Sequence, residues 1–204
     1  MKETGCELGN HSYDHPQLTK LSADKIANQI GTTNDLIQQV AGSTATVMRP
    51  PYGAINDTVR SSVGLPMILW SIDTLDWKTR NAQSSIDTVM NDVQDGDVIL
   101  MHDIHTESID AALVLIPKLE EAGYQLVTVS EMAKAKETAR QIPLERILLE
   151  TDCPYMAPTP FRGKRNNSAY IDYVAQEIAD LKGISKEEVI AVTEENAKKL
   201  FAII

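Results

Sequence analysis

Two histidine pairs hold all four histidines of the chain, His11 and His15 in Asn10-His11-Ser12-Tyr13-Asp14-His15-Pro16, and His102 and His105 in Met101-His102-Asp103-Ile104-His105. The first pair is spaced i and i+4, which stacks side chains on one helical face. Neutral imidazole is a common ligand for zinc and similar divalent ions, so two on one turn make half of a metal site. The second pair follows Asp97-Val98-Ile99-Leu100, a short β-branched and aliphatic run ending in a polar group. A buried parallel strand delivers a side chain to the rim of a sheet or barrel in this way. A lone histidine is more often a satisfied core or surface residue, and it is the pairing in both segments that favours chemistry.

The 204 residues have room for one α/β domain with a sizeable core, or for two small ones. A hydrophobic share of 43% and a charged share of 24% are those of an ordinary globular protein. The formal net charge of −10 argues against a partner held mainly through phosphate contacts, so nucleic acid is not the expected partner. Apolar runs such as Met67-Ile68-Leu69-Trp70 are too short to cross a bilayer. The start, Met1-Lys2-Glu3-Thr4-Gly5, has no apolar core of a secretory signal, and the location stays open. Cys6 and Cys153 define no disulfide framework and read as two free, partly buried thiols. A ligand role for Cys153, beside Asp152, is the alternative.

Helical and strand patterns alternate along the chain. Ile26, Ile30, Thr33, Ile37 and Val40 mark an amphipathic helix after Ser22 and before Gly42. Thr46-Val47-Met48 reads as a strand stopped by Arg49-Pro50-Pro51-Tyr52-Gly53, whose prolines forbid a continuing ladder. A short helix over 57–62 leads to a strand over 67–72, which opens into Asp73-Thr74-Leu75-Asp76-Trp77. A helix over 84–93, a strand over 98–101, a helix carrying Ile109, Leu113, Ile116 and Leu119, and a strand over 125–129 follow. The expected fold is α/β, a (βα) barrel-like parallel sheet of about six strands, either open or closed as an incomplete TIM-type barrel.

The last third changes character. Arg146-Ile147-Leu148-Leu149-Glu150-Thr151-Asp152 reads as an apolar strand ending in acidic and polar groups, followed by Pro154-Tyr155-Met156-Ala157-Pro158 and the basic cluster Arg162-Gly163-Lys164-Arg165. Three helices are expected to close the chain. One buries Ile171, Val174, Ile178 and Leu181; the second opens with the capping box Ser185-Lys186-Glu187-Glu188; the third is capped by Thr193 and buries Ala197, Leu200 and Phe201.

Residues 1–132 resemble the NodB-homology polysaccharide deacetylases, carbohydrate esterase family four. Four of that family's motifs stand in order: His11-Ser12-Tyr13-Asp14-His15, Arg49-Pro50-Pro51-Tyr52-Gly53, Asp73-Thr74-Leu75-Asp76-Trp77 and Leu100-Met101-His102-Asp103. The resemblance implies that His11 and His15 bind a divalent metal, most often zinc, with cobalt, nickel or magnesium as alternatives. It implies that Arg49 orients the catalytic aspartate and that the main-chain N–H of Tyr52 helps bind the oxyanion. It makes His102 the general acid, tuned by Asp73, and lets Leu100 and Trp77 line a pocket for the acetyl methyl. Asp76 reads as a loop or capping residue.

Amide hydrolysis needs an activated water, a donor to the oxyanion and an acid for the leaving amine, and these residues supply such a set. A histidine held by a carboxylate has its charged form favoured and can deliver a proton near neutral pH. Taken alone, Arg49 would read equally as a structural ion pair or a site residue, and Trp77 as core packing. The family's first motif, a strand ending in paired aspartates that provide the base and the third ligand, is absent, and no Asp-Asp pair occurs in the sequence. The chain begins where a third strand of that family is expected.

From about Ile142 the resemblance changes. Ile142-Pro143-Leu144-Glu145-Arg146-Ile147-Leu148-Leu149-Glu150-Thr151-Asp152-Cys153-Pro154-Tyr155, with Arg162-Gly163-Lys164-Arg165-Asn166, is similar to the final strand and helices of TatD-type metal-dependent deoxyribonucleases. That family has a TIM barrel, and Asp152 matches the aspartate that closes its metal site. The expected organisation is a chimera: deacetylase-like βα units over 1–132 and a TatD-like last strand and helices over 133–204, packed as one domain, with the seam between Glu131 and Gln141.

In a closed parallel barrel the last strand lies beside the first. Asp152 is therefore expected to reach the carboxyl rim, as a third metal ligand beside His11 and His15 or as a replacement base near Arg49. Three functions compete on the sequence: a metal-dependent deacetylase of N-acetylated glycans, impaired by the missing aspartates; a catalytically silent hybrid scaffold; and a metal-dependent deoxyribonuclease. The last draws on Arg162, Lys164 and Arg165, which otherwise read as a solvated loop. An unclosed sheet would expose its edges and invite a homodimer.

Overall fold

The computed structural model describes residues 2–154, 157–158, 160–161 and 164–202, so Tyr155, Met156, Arg162 and Gly163 of the expected C-terminal segments lie outside the described residues. The chain forms two compact units, Met1–Trp70 with Thr128–Ser130, and Ser71–Val127 with Glu131–Ile204.

In the first unit β1 (Gly9–Asn10) pairs in parallel with β2 (Val47–Met48), Gly9 opposite Val47 and Asn10 opposite Met48. Helix α1 (Ala23–Ala41) ends where Gly42 turns left-handed at φ 64° and its N–H closes on the Gln38 carbonyl. Its apolar stripe buries Ile26 and Ile30 against Leu18, Met48, Val59 and Val63, while Val40, at 86% exposure, falls off the end of the face. Burying side chains of this size contributes about 1.5–3 kcal/mol each. Asn56 caps α2 (Asp57–Val63), its Oδ1 accepting the Val59 N–H at 2.9 Å. The buried Asn10 ties β1 to α1 by donating to the Ile30 carbonyl at 3.0 Å and to Asn34 Oδ1 at 2.8 Å.

In the second unit β3 (Ile72–Asp73) pairs in parallel with β4 (Ile99–Leu100). Around this pair stand α3 (Asp76–Thr79), α4 (Ala82–Asp92) and α5 (Thr106–Glu121), and Ile72, Ile86, Val89, Ala111, Leu115 and Leu119 form their core. Helix α6 spans Val129–Gln141 and buries none of its described residues. The expected seam, between Glu131 and Gln141, therefore falls inside a helix. Helices α7 (Ile171–Lys182) and α8 (Lys186–Phe201) close on Ala175, Ala179 and Val189. The two small alanines let the backbones approach, so the buried face of α7 is displaced from the expected Ile171 and Val174. Ser185 caps α8 as expected, its Oγ accepting the Glu188 N–H at 3.1 Å.

Several expected elements differ. Among the described residues there are four strands of two residues each, in two separate two-stranded parallel sheets, where about six strands in one sheet were expected. Of the expected strand over 67–72, only Met67, bridged to Met48, and Ile72 are paired. Residues 125–128 form no strand and Val129 opens α6, because the Glu7 carboxylate accepts the Ser130 N–H at 3.0 Å and so caps a helix start. Over Ile147–Asp152 there is no ladder. The Ile147 carbonyl is taken by the Asn196 side chain at 2.9 Å, and Leu148 is 42% exposed while Leu149 packs on the α7–α8 core. Thr193 caps no third helix: α8 runs through it, and its buried hydroxyl donates back to the Val189 carbonyl at 2.8 Å. Leu200 and Phe201 are exposed, not buried.

Candidate functional site

The first histidine pair converges, but through a loop and not a helical turn. Leaving β1, the chain turns left-handed at Ser12 (φ 67°) and again at His15 (φ 58°), conformations uncommon for residues other than glycine. Side chains hold it there. Asn10 Oδ1 accepts the Ser12 N–H at 2.8 Å, Ser12 Oγ accepts the His15 N–H at 3.1 Å, and Gln29 Oε1 accepts the Tyr13 and Asp14 N–H groups at 3.0 and 3.2 Å. The two imidazole centroids come to 4.9 Å at an interplanar angle of 68°. His11 Nδ1 lies 2.5 Å from the Arg49 carbonyl oxygen. A carbonyl only accepts, so Nδ1 carries the proton and Nε2 becomes the basic nitrogen, the tautomer a metal ligand needs.

The second wall of this site is the loop after β2. Pro50 and Pro51 are buried, and Tyr52 and Gly53 follow with left-handed φ of 60° and 64°. The exposed Tyr52 ring meets His15 edge-on at 4.7 Å. Arg49 is half-buried; burial lowers its pKa, and its Nε is buried with no hydrogen-bond partner among the described residues. An orphaned guanidinium donor fits a carboxylate that these residues do not supply.

The second unit holds a carboxylate–imidazole pair. Asp76, 2% exposed, places Oδ1 2.8 Å from His102 Nδ1. Its Oδ2 accepts the His102 backbone N–H and the Ser108 hydroxyl, both at 2.6 Å, and Oδ1 accepts the Trp77 N–H at 2.8 Å. Burial pushes the Asp76 carboxyl up, but the bonds from Ser108, His102 and Trp77 outweigh it and hold the pKa below the ordinary value. Asp73, expected to hold His102, instead accepts the Leu75 N–H at 2.9 Å and fixes the turn into α3. The partner of His102 is thus Asp76, expected as a loop or capping residue. Its signals in the sequence are its place in the motif Asp73-Thr74-Leu75-Asp76-Trp77 and between two large apolar residues. Leu100 is buried on β4, its carbonyl accepting the Thr74 hydroxyl at 2.8 Å, and Trp77 is 49% exposed on α3. His105 serves as the residue that opens α5, its carbonyl accepting the Ser108 and Ile109 N–H groups.

Asp152 belongs to the second unit, where it is exposed with a left-handed φ of 50°. Among the described residues no three His, Cys, Asp or Glu side chains form a group that could hold a metal ion. The donors in hand are therefore the His11–His15 half-site. Cys6 and Cys153 are free and exposed, where partial burial was expected. Lys164 and Arg165 are exposed, as expected of a solvated loop.

Comparisons with known proteins divide along the chain. The family model described as polysaccharide deacetylase matches residues 1–65, and that for TatD related DNase matches residues 78–202. Over 137 residues the chain is 47% identical to the peptidoglycan-N-acetylmuramic acid deacetylase PdaC of Bacillus subtilis (strain 168), covering 67% of this chain and 29% of that protein. The solved structure of PdaC matches with a TM-score of 0.66 at 47% identity, over 68% of each chain. Over 77 residues the chain is 52% identical to the uncharacterized metal-dependent hydrolase YabD of the same organism, covering 38% of this chain and 30% of that protein. The chain thus spans under a third of the length of these curated relatives. The fold is mixed α/β and rich in helix, and the chain belongs to the polysaccharide deacetylases through its N-terminal part and to the TatD-related DNases through its C-terminal part.

Proposed function

We propose that this chain is a metal-dependent carbohydrate N-deacetylase, a hydrolase of the acetamide C–N bond on an N-acetylated glycan such as peptidoglycan. The observation that carries the reading is the His11–His15 pair, 4.9 Å apart, with His11 Nδ1 clamped by the Arg49 carbonyl. A bound divalent cation, zinc first among the candidates, supplies Lewis acidity toward water and the acetyl carbonyl. His11 and His15 are its ligands in this reading. The Tyr52 main-chain N–H is assigned to the oxyanion, and Leu100 and Trp77 to the acetyl methyl. His102 gives its proton to the leaving amine, and Asp76 fixes its ring for that transfer. Arg49 orients a carboxylate base.

Among the described residues no third His, Cys, Asp or Glu joins His11 and His15 in a group, which supports slow turnover, or a silent scaffold as the second reading. Acetate release from N-acetylated chitooligosaccharide and from peptidoglycan, with zinc or cobalt and with EDTA, tests both. Metal-dependent acetate that disappears in His102→Ala is the expected result. Release equal to the blank under every condition would leave the scaffold reading, and metal-dependent nicking of plasmid DNA would move the activity to the TatD part.

A further inference from the structure

We infer that Trp70 is a positioning residue for the His11–His15 half-site, acting through Gly53. Trp70 lies outside the motifs that carry the family likeness, yet its indole is the nearest neighbour of the Gly53 Cα face in the turn that contacts both imidazoles. The position a Gly53 β-carbon would occupy lies 2.9 Å from Trp70 Cη2, 3.4 Å from Cζ3 and 3.7 Å from Leu69 Cδ2. Only a glycine leaves that space for the indole, and Gly53 is also left-handed at φ 64°. The indole is brought there by the chain beside β2, where the Met48 N–H donates to the Pro66 carbonyl at 2.8 Å and the Ile68 N–H to the Met48 carbonyl at 2.9 Å.

The turn that Trp70 packs against makes two separate contacts with the histidines. At its start the Arg49 carbonyl accepts from His11 Nδ1, and at its apex the Tyr52 ring meets His15 at 4.7 Å. Tyr52 carries positive φ, which in a residue other than glycine persists only when surrounding structure enforces it, whereas Gly53 adopts its own positive φ freely. Local bonding secures the turn from one side, through the Gly53 N–H to the Pro50 carbonyl at 2.9 Å and the Ala54 N–H to the Pro51 carbonyl at 3.2 Å. The indole closes the other side. Removing it frees the turn to relax, and both ring orientations go with it.

The inference rests on the reading of His11 and His15 as metal ligands, and the test separates the two. Trp70→Ala, Trp70→Phe and Gly53→Ala are compared with the parent protein by zinc titration calorimetry and by long-range 15N NMR of the histidine rings without metal. Partners outside the ligand set commonly change metal affinity by about 10–100-fold. Trp70→Ala is expected to weaken zinc by about tenfold and to shift His11 from the Nδ1–H form toward a tautomer mixture, with Trp70→Phe recovering part of both. Gly53→Ala is expected to act in the same direction, and less so in the Trp70→Ala background, where the clash is gone. If Trp70→Ala does not fold, Gly53→Ala and Trp70→Phe give the answer. Parent affinity and parent His11 tautomer retained in the folded variants would overturn the inference. A parent protein that binds no zinc would instead remove the ligand reading, while the tautomer comparison would still decide the role of Trp70.

Discussion

Asp76 receives His102 at both ends: Oδ1 stands 2.8 Å from the ring Nδ1, and Oδ2 takes the backbone N–H of the same residue at 2.6 Å. One buried carboxylate thereby fixes the position of the residue and the rotation of its ring. Ser108, from the first turn of α5, fills the remaining place on Oδ2.

Replacing Asp76 by Asn keeps the shape and removes the charge. Asp76→Asn is expected to lower the rate of acetate release by about 10²–10⁴-fold, the range associated with general acid catalysis, and to leave zinc affinity unchanged. The same loss from Asp73→Asn, with Asp76→Asn active, would restore Asp73 as the partner of His102.

The same carboxylate makes stability depend on pH. Its folded pKa lies below the ordinary 3.8, so its contribution is complete above 3.8 and fades as pH falls through the lower folded value. Thermal melts of the parent protein and of Asp76→Asn are expected to differ at neutral pH and to draw together in acid below that value. Melts whose separation ignores pH would contradict the ionised state assigned to Asp76.

Glu7 is a second acid with a structural task. Its carboxylate accepts the Ser130 N–H and hydroxyl and the Thr46 hydroxyl; burial raises its pKa, but these bonds and the Val129 N–H bring it below the ordinary 4.5. Glu7→Ala is expected to destabilise the protein by about 1 kcal/mol, as loss of a helix cap does, and to raise amide exchange at the start of α6. Unchanged exchange at Ser130 would show that Glu7 does not hold that helix.

Leu115 lies at the centre of the core shared by α4, α5 and β3. Leu115→Ala is expected to cost about 2–5 kcal/mol in denaturant unfolding, through lost burial and the cavity left behind. A cost within the range of a surface substitution would mean that this core is not packed as described.

Helices were the legible part of this chain because their signals are local. The Ile26–Ile30 stripe, the Gly42 stop and the Ser185 cap all stand where sequence places them, since each depends on neighbours within one or two turns. Strands were not. The runs at 125–129 and 147–152 have strand composition, but a ladder needs a partner from elsewhere in the chain, and Glu7 and Asn196 offer those segments other bonds. The site divides in the same way. His11 and His15 were legible as a pair, while the left-handed turns that bring them together were not. Asp73 and Asp76 are equivalent on paper; the burial of one beside Ser108 distinguishes them.

The most direct measurement is a zinc titration of the purified protein, followed by elemental analysis, for the parent, His11→Ala and His15→Ala. Saturable binding of about one zinc per chain is expected, weakened by about tenfold or more in either variant. A parent protein that takes up no zinc at saturating concentration, or variants that bind it as the parent does, would contradict a metal site built on these two imidazoles.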